Sequence, residues 1–491
     1  MQRLRILLIN PPQIHHVSEK PVCAPPLGLA YMAAVLEKAF DVKITDCIAE
    51  GFEKKSYVTK EINRWGVDPD ELNLRVTRWE PDIVGISCTY SPQEEVIFDI
   101  AAVYKRFAEI RGKNIITVVG GPHATAVPFD IMKHKDVDFV VTGEGEIPMF
   151  QLCQAIQSNM DVSGIHGLAY RDHTGKVMVN PRSEYIDNPD KIPFPARHLL
   201  LMDKYLQAES YFKPRFLERT NMILSRGCDS RCLFCTVPGC FGGKFRPRSA
   251  DNIIAEMKEI IEKYAIKEVC FEDDNFFRNL DIATELCSKM TDNKLNLAWG
   301  CHSGLVARGY SNKLIELMKQ SGCYRVTLNL ESGCDNVLGK ILNSPNDRNI
   351  AANMILALEK AGIEVAVNFR IGFPGETQQE IMETFSFISK FKVADVKVFF
   401  AVPFPGTPFQ EQCNKEGLFI RPVKYRDYLL ESTFLRTEEF DPQVLQKLHE
   451  VGMKNLWKKR ATSDAGVLFS GVGSVLEKTV LHPFSSKEKK R

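Results

Sequence analysis

Three cysteines crowd into one short stretch, Cys228-Asp-Ser-Arg-Cys232-Leu-Phe-Cys235, directly after the apolar run Met222-Ile-Leu-Ser225. This C-x3-C-x2-C spacing is an iron–sulfur signature. Thiolates are the standard ligands of such clusters, and a cubane holds four irons. Three ligands from one loop leave the fourth iron open to a small molecule. A closed zinc site wants four ligands, so an odd, tightly spaced trio fits it poorly. Three buried thiols that merely fall close together would be the plainer explanation. The lead-in Ser225-Arg226-Gly227 and the aromatic Phe234 beside the last cysteine favour the cluster. The loop must also start at the end of a strand, which restricts the folds that can carry it.

At 491 residues the chain is long enough for two or three domains. A hydrophobic content of 44% is ordinary for a globular protein. Lys and Arg number 63 against 62 Asp and Glu, a formal net charge of +1, so no global basic field points to nucleic acid. The basic end Lys487-Glu-Lys-Lys-Arg491 is read as a solvated terminus. Fourteen cysteines in so long a chain do not describe a small disulfide scaffold. The apolar run after Met1 is too short for a signal peptide and reads as a first strand. No stretch of eighteen apolar residues suggests a membrane span. These features predict a reducing cytoplasm, and an open cluster adds a low-oxygen setting.

The predicted fold class is α/β, an N-terminal doubly wound parallel sheet of the Rossmann-like kind, a partial (β/α)6 barrel and a C-terminal helical segment. Strands are predicted at 4–10, 42–46, 83–87, 115–119 and 137–142, with helices at 26–39 and 92–107. Ser91 and Glu94 fit a capping box at the start of the second helix. Near-continuous apolar strands alternating with helices imply a parallel sheet buried on both faces. Such sheets bind ligands at the carboxyl ends of their strands, where Gly120-Gly-Pro-His-Ala-Thr125 and Gly143-Glu-Gly-Glu146 fall. Residues from about 160 to 215 lack clear periodicity, and 151–215 are expected to form a linker. From 216 to 410 a second series predicts strands at 222–225, 268–272, 295–300, 325–331, 365–371 and 396–402, with helices at 250–264, 280–291, 311–321, 346–361 and 377–391. Active groups of such a barrel lie at the strand C-termini, and the cysteine loop follows the first strand. Residues 411–491 are expected to be largely helical, with Val444, Leu445, Leu448, Val451 and Leu456 on one face. Trp457 before Lys458-Lys-Arg460 reads as a core-packing aromatic rather than a lipid contact.

The cysteine loop with Phe234 resembles the signature of the radical S-adenosylmethionine (radical SAM) superfamily, over roughly 216–410. Ser225-Arg226-Gly227-Cys228 is similar to the usual lead-in, and Arg246-Pro-Arg248-Ser249 to the segment after the loop. The resemblance implies a [4Fe–4S] cluster on Cys228, Cys232 and Cys235. It also implies S-adenosylmethionine at Leu330-Glu331-Ser332-Gly333, at Arg370 and at the Gly372-Phe-Pro374-Gly-Glu-Thr377 turn, with Phe234 on the adenine. Glu331 is open to two readings, as a contact to that cofactor or as a rim carboxylate paired with Arg370.

The domain before the barrel, residues 1–150, resembles a cobalamin-binding domain. That likeness implies cofactor contacts at Ser87, Gly120, Gly121, Pro122, His123, Thr125, Gly143, Glu144 and Gly145. Cobalamin domains often carry Asp-x-His-x-x-Gly after the first strand. Here the place reads Asn10-Pro-Pro-Gln-Ile-His15, so this motif supplies no lower ligand to cobalt. His15, His16 and His123 are read as polar loop residues.

Together the two halves resemble the cobalamin-binding radical enzymes that include hopanoid methylases and the anaerobic porphyrin-ring cyclase. The resemblance implies hydrogen abstraction by a deoxyadenosyl radical and methyl transfer from methylcobalamin to an unactivated carbon. Cyclisation or rearrangement with the same cofactors, a non-catalytic iron–sulfur electron carrier, and a methylthiolating RNA enzyme are the competing readings. The last would want three further cluster cysteines in the N-terminal domain, for which Cys23, Cys47 and Cys88 are candidates. A small-molecule, lipid or peptide substrate and an electron donor such as flavodoxin or ferredoxin are the expected partners. Glu272-Asp-Asp-Asn275 and Cys301-His302 are expected at the ends of the second and third barrel strands. The carboxylates are open to two readings, as a substrate or charge-binding group or as a helix N-cap. Cys240 is close enough to the loop to be mistaken for a fourth ligand.

Overall fold

The computed structural model describes residues 3–19, 21–76, 79–182, 185–207, 214–430 and 433–463. Two sheets organise the chain. The first is built from β1 (Arg5–Asn10), β2 (Asp41–Asp46), β3 (Ile83–Ser87), β4 (Ile116–Gly120), β5 (Phe139–Val141), β6 (Leu168–Arg171) and β7 (Val177–Val179). Its order is β7-β6-β5-β4-β3-β1-β2. The first five strands are parallel, and β6 and β7 add antiparallel at one edge.

Strand β1 shows why this sheet must be covered twice. Ile6 and Leu8 pack with Leu29 and Ala33 of the helix Leu27–Leu36 and with Met149 and Leu152 of the helix Glu146–Ser158. Leu7 and Ile9 join Ile97, Ile100 and Tyr104 of the helix Glu94–Arg111 on the opposite face. A strand apolar at every position buries both faces, the mark of a doubly wound sheet. Each such aliphatic side chain removed from water contributes about 1.5–3 kcal/mol.

The hairpin β6–β7 lies within 151–215, the stretch expected to form a linker. Its turn is local chemistry: Asp172 Oδ1 accepts from Thr174 N at 2.8 Å and from Lys176 N at 3.0 Å. Gly175 takes φ +84°, which only glycine adopts cheaply. The capping expectation is also corrected. A short 3-10 turn, Ser91–Gln93, precedes the helix, and the Gln93 side chain, not that of Glu94, accepts from the backbone N–H groups of Thr89 and Tyr90. His15 and His16 lie on a strand, Gln13–His16, paired antiparallel with Ile62–Trp65, rather than in a loop.

The second sheet comprises β8 (Arg219–Met222), β9 (Glu268–Phe271), β10 (Ala298–Leu305), β11 (Cys323–Glu331), β12 (Glu364–Ile371) and β13 (Asp395–Phe400), all parallel and paired in chain order. Helices Ala250–Tyr264, Leu280–Asp292, Asn312–Gln320, Arg348–Lys360 and Gln378–Ile388 alternate with these strands, giving the partial barrel. Each helix starts where its sequence supplies an N-cap. Ser249, Asn279, Ser311, Asp347 and Thr377 all accept from first-turn backbone N–H groups. At Thr377 a capping box closes the exchange, with Glu380 reaching back to Thr377 N. Cys301 and His302 sit inside β10, which runs to Leu305, and so do not end their strand as expected.

The helix Pro442–Ser463 lies along Gln378–Ile388. Gly452 is its point of closest approach, since a Cβ there would fall 2.3 Å from the Phe385 ring. Leu445 and Leu456 are buried as expected, whereas Val451 is exposed. No helix among the described residues is long and apolar enough to cross a membrane.

Candidate active site

The cysteine loop leaves β8 through a small antiparallel ribbon, Ser225–Arg226 against Arg246–Pro247. Two carboxylates hold the loop. Asp273, beyond β9, is 1% exposed and accepts from Leu224 N at 2.9 Å and from Ser225 Oγ. Burial pushes its carboxyl up to about 7 despite those donors. Within the loop, Asp229 accepts from both arms of the Arg278 guanidinium. The Glu272–Asn275 stretch therefore braces the loop through Asp273, while the following helix takes Asn279 as its cap. Gly227 turns the chain into the loop at φ +76°, where a Cβ would meet Lys244 O at 2.5 Å.

The three thiols are electrostatic neighbours: Cys228 acts on Cys232, and both act on Cys235. Cys232 and Cys235 are both raised to about 12, chiefly by burial; at Cys232 the Glu331 and Cys228 charges add to it and Arg370 opposes. Among the described residues no three His, Cys, Asp or Glu side chains gather as ligands of a single metal ion. Cys240 is buried on a short helix, Val237–Phe241, with Arg182 and Asp274, not the trio, as its charged neighbours. The donor set therefore fits a three-cysteine cluster with an open corner.

Across the rim, β11 ends in a register shift before Glu331, whose backbone takes φ +72°. A non-glycine residue there carries strain of about 1–3 kcal/mol, a cost concentrated at functional sites. Glu331 pairs with Arg370 of β12, and the guanidinium also sits 4.7 Å from the Phe234 ring centroid. The pairing with Arg370 is thus present. Ser332 and Gly333 pack against the next helix: Ser332 Oγ lies 3.1 Å from Thr384 Oγ1, and Gly333 N donates to the same hydroxyl at 3.0 Å. Gly372 adopts φ +95°, with Glu376 Oε2 accepting from its N–H at 2.7 Å.

At the carboxyl edge of the first sheet several expected cofactor residues are engaged within the protein. Gly121, at φ +105°, is demanded by the Cys88 carbonyl, which a Cβ would approach to 2.7 Å. A Cβ on Gly145 would meet only the movable end of the Met32 side chain. Thr125 Oγ1 accepts from Gly143 N at 2.8 Å. His123, following Pro122 at the start of a short helix, is buried, its Nε2 2.9 Å from Glu94 Oε2 and its ring edge-on to Tyr425. Ser87 Oγ lies 3.4 Å from Thr89 Oγ1, and Gly120 faces the Val141 carbonyl.

Glu144 holds the largest surprise. Its carboxylate accepts from Arg226 at 3.1 Å, Arg246 at 2.7 Å and Ile186 N at 2.9 Å, so it clasps the cysteine-loop ribbon. Glu146 pairs with Arg226. Burial raises the Glu146 carboxyl, but the Arg226 charge outweighs it and holds the group below its usual range. The motif Gly143-Glu-Gly-Glu146 was visible; its partners, some eighty residues on, were not.

The two sheets consequently point their carboxyl ends at one another. Tyr90, beyond β3, has 59% of its surface open, yet surrounding protein pushes its phenol up, with Glu272, beyond β9, as its charged neighbour. The ligand edge of a doubly wound sheet thus faces the cysteine loop of a partial barrel, as a corrin working beside a cluster requires.

Comparison with known proteins agrees with that pairing. Residues 222–388 match the radical SAM superfamily and residues 17–152 the B12-binding domain. The chain belongs to the cobalamin-binding radical SAM enzymes, and its cofactors are a [4Fe–4S] cluster, S-adenosylmethionine and cobalamin. It is 30% identical over 450 residues to an uncharacterized methyltransferase of Pyrococcus horikoshii, covering 91% of each chain. It is 29% identical over 449 residues to the cytidylyl-2-hydroxyethylphosphonate methyltransferase of Streptomyces wedmorensis, covering 85% of this chain and 83% of the relative. The fold is shared with the radical S-adenosylmethionine methyltransferase TsrM of Kitasatospora setae, solved with cobalamin and a [4Fe–4S] cluster bound. The TM-score is 0.70 at 15% identity, over 96% of this chain and 92% of that one.

Proposed function

We propose that the protein methylates an unactivated carbon of a small molecule in a reducing cytoplasm, with flavodoxin or ferredoxin as electron donor. The carrying observation is the opposition of the two ligand edges across the Glu144–Arg226 contact. When bound, the cluster and S-adenosylmethionine supply a deoxyadenosyl radical, and the corrin supplies the methyl group. The chain's own residues bind and orient. Cys228, Cys232 and Cys235 hold three irons. Asp273 and the Arg278–Asp229 pair fix the loop that carries them. Glu331, Ser332, Gly333, Gly372 and Pro374 line the rim that takes S-adenosylmethionine. Phe234, backed by Arg370, offers its ring to the adenine. Ser87, Gly120, Gly121 and Pro122 shape the loops that receive the corrin.

The names of both relatives support methyl transfer. The Streptomyces relative is named for a nucleotidyl phosphonate, which favours a small polar substrate over a lipid or peptide. The test needs no substrate. Anaerobically reconstituted protein is given cobalamin, reductant and S-adenosylmethionine labelled at the methyl carbon. Label on the corrin together with released deoxyadenosine supports the reading, and Cys232→Ala should release no deoxyadenosine. Deoxyadenosine with no label on the corrin would refute methyl transfer and leave cyclisation or rearrangement.

A further inference from the structure

Arg226 and Arg246 are direct cross-strand partners on the ribbon that closes the base of the cysteine loop. Like charges set opposite each other on an antiparallel pair repel. Both guanidiniums are nearly buried, at 11% and 2% side-chain exposure, so water cannot screen them. Their neutralising charges come from the other half of the molecule. Glu144 bridges the two arginines, Oε1 to Arg226 and Oε2 to Arg246, and Glu146 takes the second arm of Arg226. Arg246 also donates to Ile186 O and Phe241 O, both at 2.8 Å.

Glu144 sits on the loop after β5 and Glu146 begins the helix that follows; the Gly143 N–H of that loop is held by Thr125 on the short helix Pro122–Ala126 at the neighbouring carboxyl edge. An unbroken chain of polar contacts therefore runs from the Gly120–Thr125 loop, through Gly143–Glu146, to the residue two places before Cys228. Breaking one partner of a buried pair strands the other charge, so this contact tolerates few arrangements.

We propose that Glu144 and Glu146 are positioning residues that set the corrin-binding edge in register with the cluster loop. Group transfer between two cofactors depends on their separation and angle, and a misplacement of about 1 Å can cost on the order of a hundredfold in rate. The inference rests on the methyl-transfer reading above for its consequence, but not for its geometry.

Glu146→Gln and, separately, Glu144→Gln test it, each an isosteric loss of one charge. Three quantities are read on cluster-loaded protein. Hydrogen exchange over 225–235 and 143–146 should quicken at least tenfold, while β11 and β12 stay at wild-type rates. Spin relaxation of bound cob(II)alamin by the reduced cluster should weaken. Label transferred per deoxyadenosine should fall at least tenfold, with iron content retained. Wild-type exchange in both variants overturns the proposal. So does faster exchange with wild-type spin relaxation, because the contact is then structural only. If the wild type moves no label, the methyl-transfer reading fails while exchange and spin relaxation still decide the clamp. If it binds no corrin, there is no corrin-binding edge to set in register and the proposal is overturned with it.

Discussion

Glu376 offers a sharp test of the rim electrostatics. It is fully buried behind the Gly372–Gly375 turn, where Oε2 accepts from Gly372 N at 2.7 Å and Phe373 N at 3.2 Å. Its other oxygen, Oε1, has no hydrogen-bond partner. Burial pushes the carboxyl from 4.5 up to about 8. The folded protein therefore keeps a proton there, between those values, that the unfolded chain releases. Stability contributed by the protonated form is complete below the unfolded value and is lost as pH rises through about 8. Glu376→Gln keeps an oxygen for both backbone N–H groups and cannot ionise. Its amide leaves unpaired N–H donors where Oε1 stood, at about 1–3 kcal/mol. The variant should thus be no more stable than wild type at pH 5. At 1.36 kcal/mol per pH unit, the difference between the two should swing by about 4 kcal/mol in favour of the variant by pH 9. Other groups titrate equally in both proteins and cancel. Anaerobic urea unfolding at pH 5, 7 and 9, followed by circular dichroism, measures the swing. A difference that does not change with pH would refute the claim that this carboxyl is held protonated.

Two further outcomes follow from contacts around the cofactors. Asp273→Ala strands Leu224 N and Ser225 Oγ, so iron retained after gel filtration should drop severalfold while circular dichroism is preserved. Gly121→Ala drives a Cβ to 2.7 Å from the Cys88 carbonyl at φ +105°, a destabilisation of about 1–3 kcal/mol that should appear as a lower melting temperature and reduced corrin content.

What the sequence disclosed was local. The cysteine spacing, the Ser, Asn, Asp and Thr residues before each barrel helix, and the apolar run of β1 each carry their meaning within about ten residues. The hairpin β6–β7 was legible in principle, since Asp172-His-Thr-Gly175 between Leu168-Ala-Tyr and Val177-Met-Val is a turn between two short apolar runs. Short strands with half-buried faces give too weak an alternation to be noticed without it. The site was hidden where it depends on distant partners. Glu144 read as a cofactor residue because its motif lies at a strand end, but the arginines that claim it are 82 and 102 residues away. The left-handed backbone of Glu331 follows from a register slip between strands, which no residue type announces.

Every strand of the second sheet pairs with its neighbour in the chain, while the first sheet is finished by β6 and β7, before the barrel begins. During synthesis the amino-terminal half can thus consolidate with all its strands in hand, and the barrel can then grow one βα unit at a time against a finished surface. The buried arginines of the cysteine ribbon emerge only after the acids that neutralise them are already in place, so the nascent chain has a template for the one loop that must be set before a cluster can be loaded.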